Sequence, residues 1–142
     1  MSLTLKPSEI YFSQSSINNQ FKNGRQIGQV LDDICEGRIS VSSFPLISVM
    51  KRDGRWTTSD NRRLWVFREL ERLGKLDEIA VVQVYSIHDK KLTTINGGVS
   101  VKVRGTGPGG IWHNRLASTA SLSTYLRSWR DMFDSSDSLD SI

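Results

Sequence analysis

The chain has 142 residues, 37% of them apolar, and a formal net charge of +4 at pH 7. A chain of this length fits one domain, and four Trp and five Phe are enough for a hydrophobic core. The single cysteine excludes an internal disulfide and a multi-cysteine zinc site. No run of about 18 apolar residues is present, and the first residues lack the apolar stretch of a signal peptide. We therefore expect an intracellular protein, cytoplasmic or nuclear, that does not contact a membrane.

The predicted elements of the first forty residues are a strand, a loop and a helix. Residues 9–12 are typical of a short strand, and the polar residues 13–20 show neither helical nor strand periodicity. Apolar residues then recur at helical spacing from Ile27 to Ile34. Gly37 is placed to end this helix in the left-handed conformation.

A hairpin and a second helix follow. Residues 46–50 and 55–58 are predicted strands, and the Asp-Gly pair between them is typical of a tight hairpin turn. Asp60 is expected to cap the next helix, whose apolar stripe runs from Leu64 to Leu73.

The second half of the chain has weaker patterns. Residues 79–85 are nearly continuous in apolar residues, which predicts a strand in the centre of the sheet. Residues 99–103 suggest one more strand, residues 105–110 a flexible surface loop, and residues 121–133 a last helix. The acidic, Ser-rich residues 134–142 are predicted to be a disordered tail.

These elements predict an α/β (α+β) fold, with a small mixed sheet and packed helices in one compact domain. The domain is expected to span residues 1–133, with its core at 9–86 and an extension at 95–133.

The excess positive charge is concentrated in residues 51–75. Eight Lys and Arg stand there against four acids, which accounts for the whole net charge. Arg68 and Arg72 share a helix face in this window and are expected to be solvated. Such a concentration beside a helix start favours a phosphate-bearing partner, a nucleotide or a nucleic acid.

The run Asp60-Asn61-Arg62-Arg63 occupies the predicted first turn of the second helix, directly after a strand. Free main-chain N–H groups and the positive end of the helix dipole attract an anion there, and guanidinium groups add bidentate contacts to phosphate oxygens. Asp60 can also hold Mg²⁺, and Asn61 can hydrogen-bond a ligand. The competing interpretation is a solvated helix end with surface ion pairs.

The order of these elements, together with Ser59-Asp60-Asn61-Arg62-Arg63, resembles the ParB/sulfiredoxin-like superfamily over roughly residues 10–85. In ParB N-terminal domains a Gly-Glu-Arg-Arg box at this turn binds nucleotide phosphates, and its two arginines are similar to Arg62 and Arg63. Sulfiredoxins carry Gly-Cys-His-Arg there. Asn61 stands at the position of their nucleophilic cysteine, which excludes sulfiredoxin chemistry. The upstream metal-and-phosphate motif of ParB has no clear counterpart in residues 12–17.

The resulting site hypothesis has a binding set and a catalytic set. The binding residues, for phosphate or nucleotide, are Ser59, Asp60, Asn61, Arg62 and Arg63, with Gln14 and Ser15 from the loop that the resemblance places beside the box. The catalytic residues of a nuclease or a nucleotide-dependent phosphotransferase would be Asp60, Arg62 and Arg63, with Asp32 and Asp33 as outside candidates.

The implied ligand is a nucleoside di- or triphosphate or another phosphate ester, with Mg²⁺ as a cofactor. His88 and His113 are isolated, so no metal site of protein ligands is predicted. The alternative is a non-catalytic module that binds nucleic acid or protein with the same basic face. Fold resemblance alone does not choose between them.

Overall fold

A computed structural model describes residues 3–87, 94 and 96–116, and this part of the chain has an α+β fold. The predicted fold class is therefore confirmed. The predicted helix at 121–133, the tail at 134–142 and His88 lie outside the described residues. The described helices and strands, in chain order, are β1 (Leu3–Leu5), β2 (Ile10–Phe12), β3 (Ser16–Ile17), α1 (Ile27–Cys35), β4 (Ile47–Arg52), β5 (Arg55–Thr58), α2 (Asn61–Arg72), β6 (Ile79–Gln83) and β7 (Lys102–Val103). Short 3₁₀ turns lie at Pro7–Glu9, Val41–Ser43 and Trp112–Asn114.

Five strands form a mixed sheet in the order β1-β6-β4-β5-β2. Neighbours β2 and β5 run parallel, as do β4 and β6, whereas β1 with β6 and β4 with β5 are antiparallel. The remaining strands, β3 and β7, pair in parallel as a separate two-stranded sheet. Among the residues given above, no helix is long and apolar enough to cross a bilayer.

Three strand predictions need correction. β6 is an inner strand, but β4 holds the middle of the sheet. Val81 in β6 is buried while Val82 is 47% exposed, because alternate side chains point to opposite faces and only one face packs against the core. The strand predicted at 99–103 is the two-residue β7, and its partner β3 lies in the predicted loop 13–20. β1 was not predicted at all.

Both helices end as their sequences predict. At the end of α2 the N–H of Gly74 donates to Glu71 O (3.0 Å), and the N–H of Lys75 donates to Leu70 O (2.8 Å). This pair of bonds is a Schellman motif, which needs a residue with positive φ at the position of Gly74, where φ is 75°. α1 ends in the same way at Gly37, where φ is 81°.

The apolar stripe of α2 faces the core. Leu64 and Leu70 are fully buried, and Leu73 is 1% exposed. The buried core cluster also contains side chains of both sheets and of α1. Hydrophobic burial therefore packs the apolar stripe of α2 against these elements.

Residues 105–112 pack against α1, although the sequence predicts a flexible surface loop there. The N–H of Gly28 donates to Pro108 O (2.8 Å), and the Asp32 carboxylate accepts the N–H groups of Ile111 and Trp112, each at 2.9 Å. A Cβ at Gly28 would stand 1.9 Å from Gly109 O. The two backbones therefore approach as closely as glycine permits.

Replacing Gly28 with Ala should lower the free energy of unfolding by about 1–3 kcal/mol, because the added methyl group must push the loop off α1. Urea denaturation measures this change. Gln29→Ala, at an exposed position next along the helix, is the control and should shift stability by about 0.5 kcal/mol or less. Equal midpoints for Gly28→Ala and the unchanged protein would show that the loop does not dock as described.

Candidate functional site

The first turn of α2 lies where two parallel strands end. β5 leads through Ser59 and Asp60 into the helix, and β2, its parallel neighbour, leads into Ser13 and Gln14. The run Ser59-Asp60-Asn61-Arg62-Arg63, called the box below, therefore lies beside the loop after β2, as the sequence predicts. Ligand sites of open sheets commonly form beyond the carboxyl ends of their strands.

Asp60 holds α2 to the sheet and does not cap it. It occupies the N-cap position, but its side chain makes no hydrogen bond to the helix. Instead its Oδ2 accepts the main-chain N–H of Ser48 in β4 (2.8 Å). The predicted side-chain cap is wrong, because the Ser48 N–H competes for the same carboxylate.

Asn61 is buried, and its side chain joins α2 to the loop after β2. It is 4% exposed, and its Oδ1 accepts the N–H of Ser13 (2.8 Å). Its amide nitrogen donates to Ser13 Oγ (3.0 Å), Gln14 Oε1 (3.3 Å) and Ser59 O (3.3 Å). These bonds use the polar atoms of Asn61, so its role is to position Gln14 beside the box.

The main-chain N–H groups of Asn61, Arg62 and Arg63 have no protein acceptor in the described part of the chain. The first turn of α1 differs, because its Ile27 and Gly28 N–H groups donate to the carbonyls of Asn19 and Pro108. The side chains of Asp60 and Asn61 bond to other segments, so no side chain among the described residues caps the positive N-terminal end of α2. We call this uncapped first turn open.

Arg62 and Arg63 leave the helix in different directions. Arg62 donates to Gln20 O (2.7 Å), and its guanidinium lies 5.9 Å from the centre of the Phe21 ring. Arg63 donates to Leu46 O (3.0 Å) and has Asp60 Oδ1 3.8 Å away. Each contact is to an exposed neutral carbonyl or a distant carboxylate, so an anion can compete for both side chains.

These residues line a groove of about 750 Å³, which we call the arginine groove. Its volume is within the range of small-molecule sites. Five cationic side chains line it, and Asp60 is the one acid among the lining residues that the structure describes. The cationic residues are Lys22, Arg25, Arg62, Arg63 and Arg104.

Three of the five cations come from outside the box. Lys22 and Arg25 lie before α1, and Arg104 follows β7. Arg104 donates to Ser16 Oγ (2.7 Å), whereas Arg25 forms an ion pair with buried Asp33. Within residues 3–87, 94 and 96–116, Lys22, Arg62 and Arg104 form no ion pair. The field of the groove is therefore positive.

The groove also has an apolar wall, which begins beside Arg62 at Phe21. Phe21 packs edge-on against Phe44, with ring centres 5.9 Å apart, and Phe44 packs edge-on against Phe67 at 5.3 Å. Pro45 and Ile39 complete this wall. A ligand that joins an anionic group to a ring would match both sides.

The other predicted residues divide between the groove and the interior. Gln14 and Ser59 line the groove, but Ser15 is not among its lining residues. Asp32 and Asp33 are buried, Asp32 against the 105–112 loop and Asp33 against Arg25 and Arg38. They do not line the groove.

Cys35 also lies away from the groove lining, and burial raises the pKa of its thiol. A raised pKa leaves less thiolate at neutral pH. No thiol nucleophile is therefore available in the groove.

Arg68 and Arg72 are not simply solvated, contrary to expectation. Arg68 donates to the carbonyls of Ile10 and Val99 and lies over the Phe12 ring, 4.5 Å from its centre. Burial lowers the pKa of its guanidinium. Arg72 makes two 3.0 Å hydrogen bonds to Glu69, which raise its pKa. Arg72 also donates to Arg115 O (2.6 Å) and His113 O (3.1 Å), so both arginines join α2 to other segments.

Sequence reasoning missed Lys22, Arg25 and Arg104. Each is an ordinary cation in a polar segment, and no local pattern marks it. Arg104 reaches the groove only because β3 pairs with β7, a contact between residues more than 80 positions apart. The Gly-rich segment after Arg104 is the one sequence feature that could indicate packing of this region against another element, since glycine permits close backbone approach.

No family model, curated protein or solved structure matches this chain. The similarity to the ParB/sulfiredoxin-like superfamily therefore depends on the sequence pattern around the box and stays a prediction.

Asn61→Ala should lower the free energy of unfolding by about 1–3 kcal/mol, because the buried N–H of Ser13 loses its acceptor. Chemical denaturation measures the loss. Ser59→Ala, which removes a neighbouring hydroxyl from the groove, should change stability by about 0.5 kcal/mol or less. Equal stability of Asn61→Ala and Ser59→Ala would show that the hydrogen bonds of Asn61 do not stabilise the junction between α2 and the loop after β2.

Proposed function

We propose that the arginine groove binds a phosphate ester, with a nucleoside di- or triphosphate as the best-fitting class. The observation that carries the proposal is the open first turn of α2. The three residues of this turn line a groove with five cations and one acid, and their N–H groups have no acceptor among the described residues. An anion should stabilise this helix end more than an ordinary one, because Arg62 and Arg63 are repelled by the positive end of the helix dipole when no negative group is bound.

A nucleotide fits both walls. Its phosphates would meet the N–H groups of the turn and the guanidiniums of Arg62 and Arg63, with Lys22 and Arg104 able to neutralise further charge. Its base would lie against Phe21 and the apolar wall. Inorganic phosphate uses only the first half of this site and should bind more weakly.

Mg²⁺ does not fit the groove as a protein-held ion. Asp60 is its single carboxylate, one oxygen of which accepts the Ser48 N–H while the other faces Arg63. Among the described residues no group of three His, Cys, Asp or Glu could hold a metal. We therefore assign phosphate neutralisation to the cations, and binding should not need a divalent ion.

Phosphoryl transfer or phosphodiester hydrolysis at Asp60, Arg62 and Arg63 stays a prediction from the sequence. The arrangement supports part of it, because two guanidiniums at one helix end would stabilise charge on phosphoryl oxygens. Binding is supported further, because cations and apolar side chains both line the groove.

The double variant Arg62→Ala, Arg63→Ala should lose nucleotide-induced thermal stabilisation. For the unchanged protein, a nucleotide at 100 times its dissociation constant should stabilise by about 2.7 kcal/mol. Melting curves with each of the four ribonucleoside triphosphates and with pyrophosphate, in EDTA and in Mg²⁺, make the measurement. The stabilisation should persist in EDTA.

The matched control is Arg52→Ala, Arg55→Ala, which removes the same charge at the far end of β5 and should retain the nucleotide response. The proposal is wrong if none of these ligands stabilises the unchanged protein, or if the Arg62, Arg63 double variant responds like the control.

A further inference from the structure

A second basic surface lies at the tip of the β4–β5 hairpin. The turn residues Asp53 and Gly54 both have positive φ, 50° and 80°, as two-residue hairpin turns require. Lys51, Arg52 and Arg55 surround the turn and are all exposed. Asp53 is the one acid in residues 51–56.

These three cations have no carboxylate partner in the described ranges. Two of them lie over aromatic rings instead. Lys51 Nζ is 4.7 Å from the centre of the Trp56 ring, and the Arg55 guanidinium is 4.8 Å from that of Tyr11. The cations are thus pre-positioned by rings and keep their charge for an outside partner.

The strand register explains this placement. Lys51 is directly opposite Trp56 across the hairpin, and Arg52 is opposite Arg55. Tyr11 belongs to the neighbouring strand β2, where it pairs with Thr57, two residues from Arg55. Because side chains alternate between faces, the Lys51–Trp56 pair lies on one face of the sheet and Arg52, Arg55 and Tyr11 on the other.

Gly97 packs close to the guanidinium of Arg55, because a Cβ there would lie 3.3 Å from Arg55 Nη1. Glu9, which precedes β2, accepts the main-chain N–H of Lys6 (2.8 Å) and forms no ion pair with the hairpin among the described residues. The positive charge at the tip is therefore available for a partner.

We propose that this tip, formed by Tyr11, Lys51, Arg52, Arg55 and Trp56, binds single-stranded nucleic acid. Each face of the tip carries at least one cation beside one ring, which suits a strand that crosses the tip, because phosphates are neutralised by the cations while unpaired bases stack on aromatic and guanidinium planes. An acidic peptide would use the charges and leave the rings without a role. A duplex keeps its bases stacked on one another and away from the rings.

The tip is separate from the arginine groove. β5 runs from the turn to the start of α2, and its four residues span roughly 13 Å at 3.3 Å per residue. The two surfaces therefore occupy opposite ends of one strand, and each can be changed without the other.

The test is fluorescence anisotropy with a fluorescein-labelled oligomer of dT, 15 nucleotides long, titrated over a range of salt concentrations. Lys51→Gln, Arg55→Gln should weaken binding about tenfold and reduce the slope of log affinity against log salt by roughly 1.4, or 0.7 for each lost phosphate contact. The charge-matched control is Lys6→Gln, Lys102→Gln at two other exposed cations, and it should change affinity less than about threefold.

Two further variants separate stacking and the groove from charge at the tip. Tyr11→Leu keeps every charge and an apolar side chain, and should weaken binding of the dT oligomer several-fold by loss of a stacking ring. Arg62→Ala, Arg63→Ala, which removes two cations of the arginine groove, should weaken binding of the oligomer less than the tip variant does, and this comparison does not depend on nucleotide binding in the groove.

Several results would overturn the proposal. These are no binding of the oligomer by the unchanged protein, equal losses in the tip variant and its control, or a loss confined to the Arg62, Arg63 variant. Equal affinity for a 15-base-pair duplex would show recognition of charge without stacking. A far-UV circular dichroism spectrum and melting temperature for each variant establish that the protein compared is folded.

Discussion

The start of α2 depends on two side chains that turn away from it. Asp60 accepts the N–H of Ser48 in β4, and Asn61 accepts the N–H of Ser13 after β2. Each bond satisfies a main-chain donor of another element and joins that element to the helix. The first N–H groups of the helix then have no acceptor within the described ranges, which is an unfavourable arrangement unless water or a ligand completes it. The geometry of the arginine groove follows from this pair of contacts.

The rest of the groove is assembled by contacts distant in sequence. The 105–112 loop packs on α1 through Gly28 and Asp32, and the β3–β7 pairing places Arg104 beside the box. Lys22 and Phe21 come from the segment before α1. Folding therefore gathers like charges from three separate segments in one place. Concentrating cations in this way destabilises the unliganded protein and favours an anionic partner.

Local chemistry explains which features the sequence predicts. The Asp-Gly turn, the glycines that end both helices and the stripe from Leu64 to Leu73 each require only a few adjacent residues. The position of the arginine box after a strand is equally local. These features define the hairpin, both helices and half of the candidate site.

The features that sequence reasoning missed depend on tertiary competition. Asp60 has the residue type and position of a cap, but the Ser48 N–H in a neighbouring strand takes its carboxylate. Arg68 has the spacing of a solvated residue, yet carbonyls of Ile10 and Val99 draw it inward. Arg104 could not be assigned to the groove, because its place depends on a strand pairing that no local pattern specifies.

We propose that the open turn of α2 receives a phosphate group. ¹⁵N-labelled protein titrated with pyrophosphate tests it most directly, because the main-chain amide resonances of the turn report a new acceptor. A phosphate group bound at the turn should produce saturable downfield proton shifts at Arg62 and Arg63, while the amide resonances of Ile27 and Gly28, which already have acceptors, should move little. Unmoved resonances at the turn, or equal shifts at the starts of both helices, would contradict it.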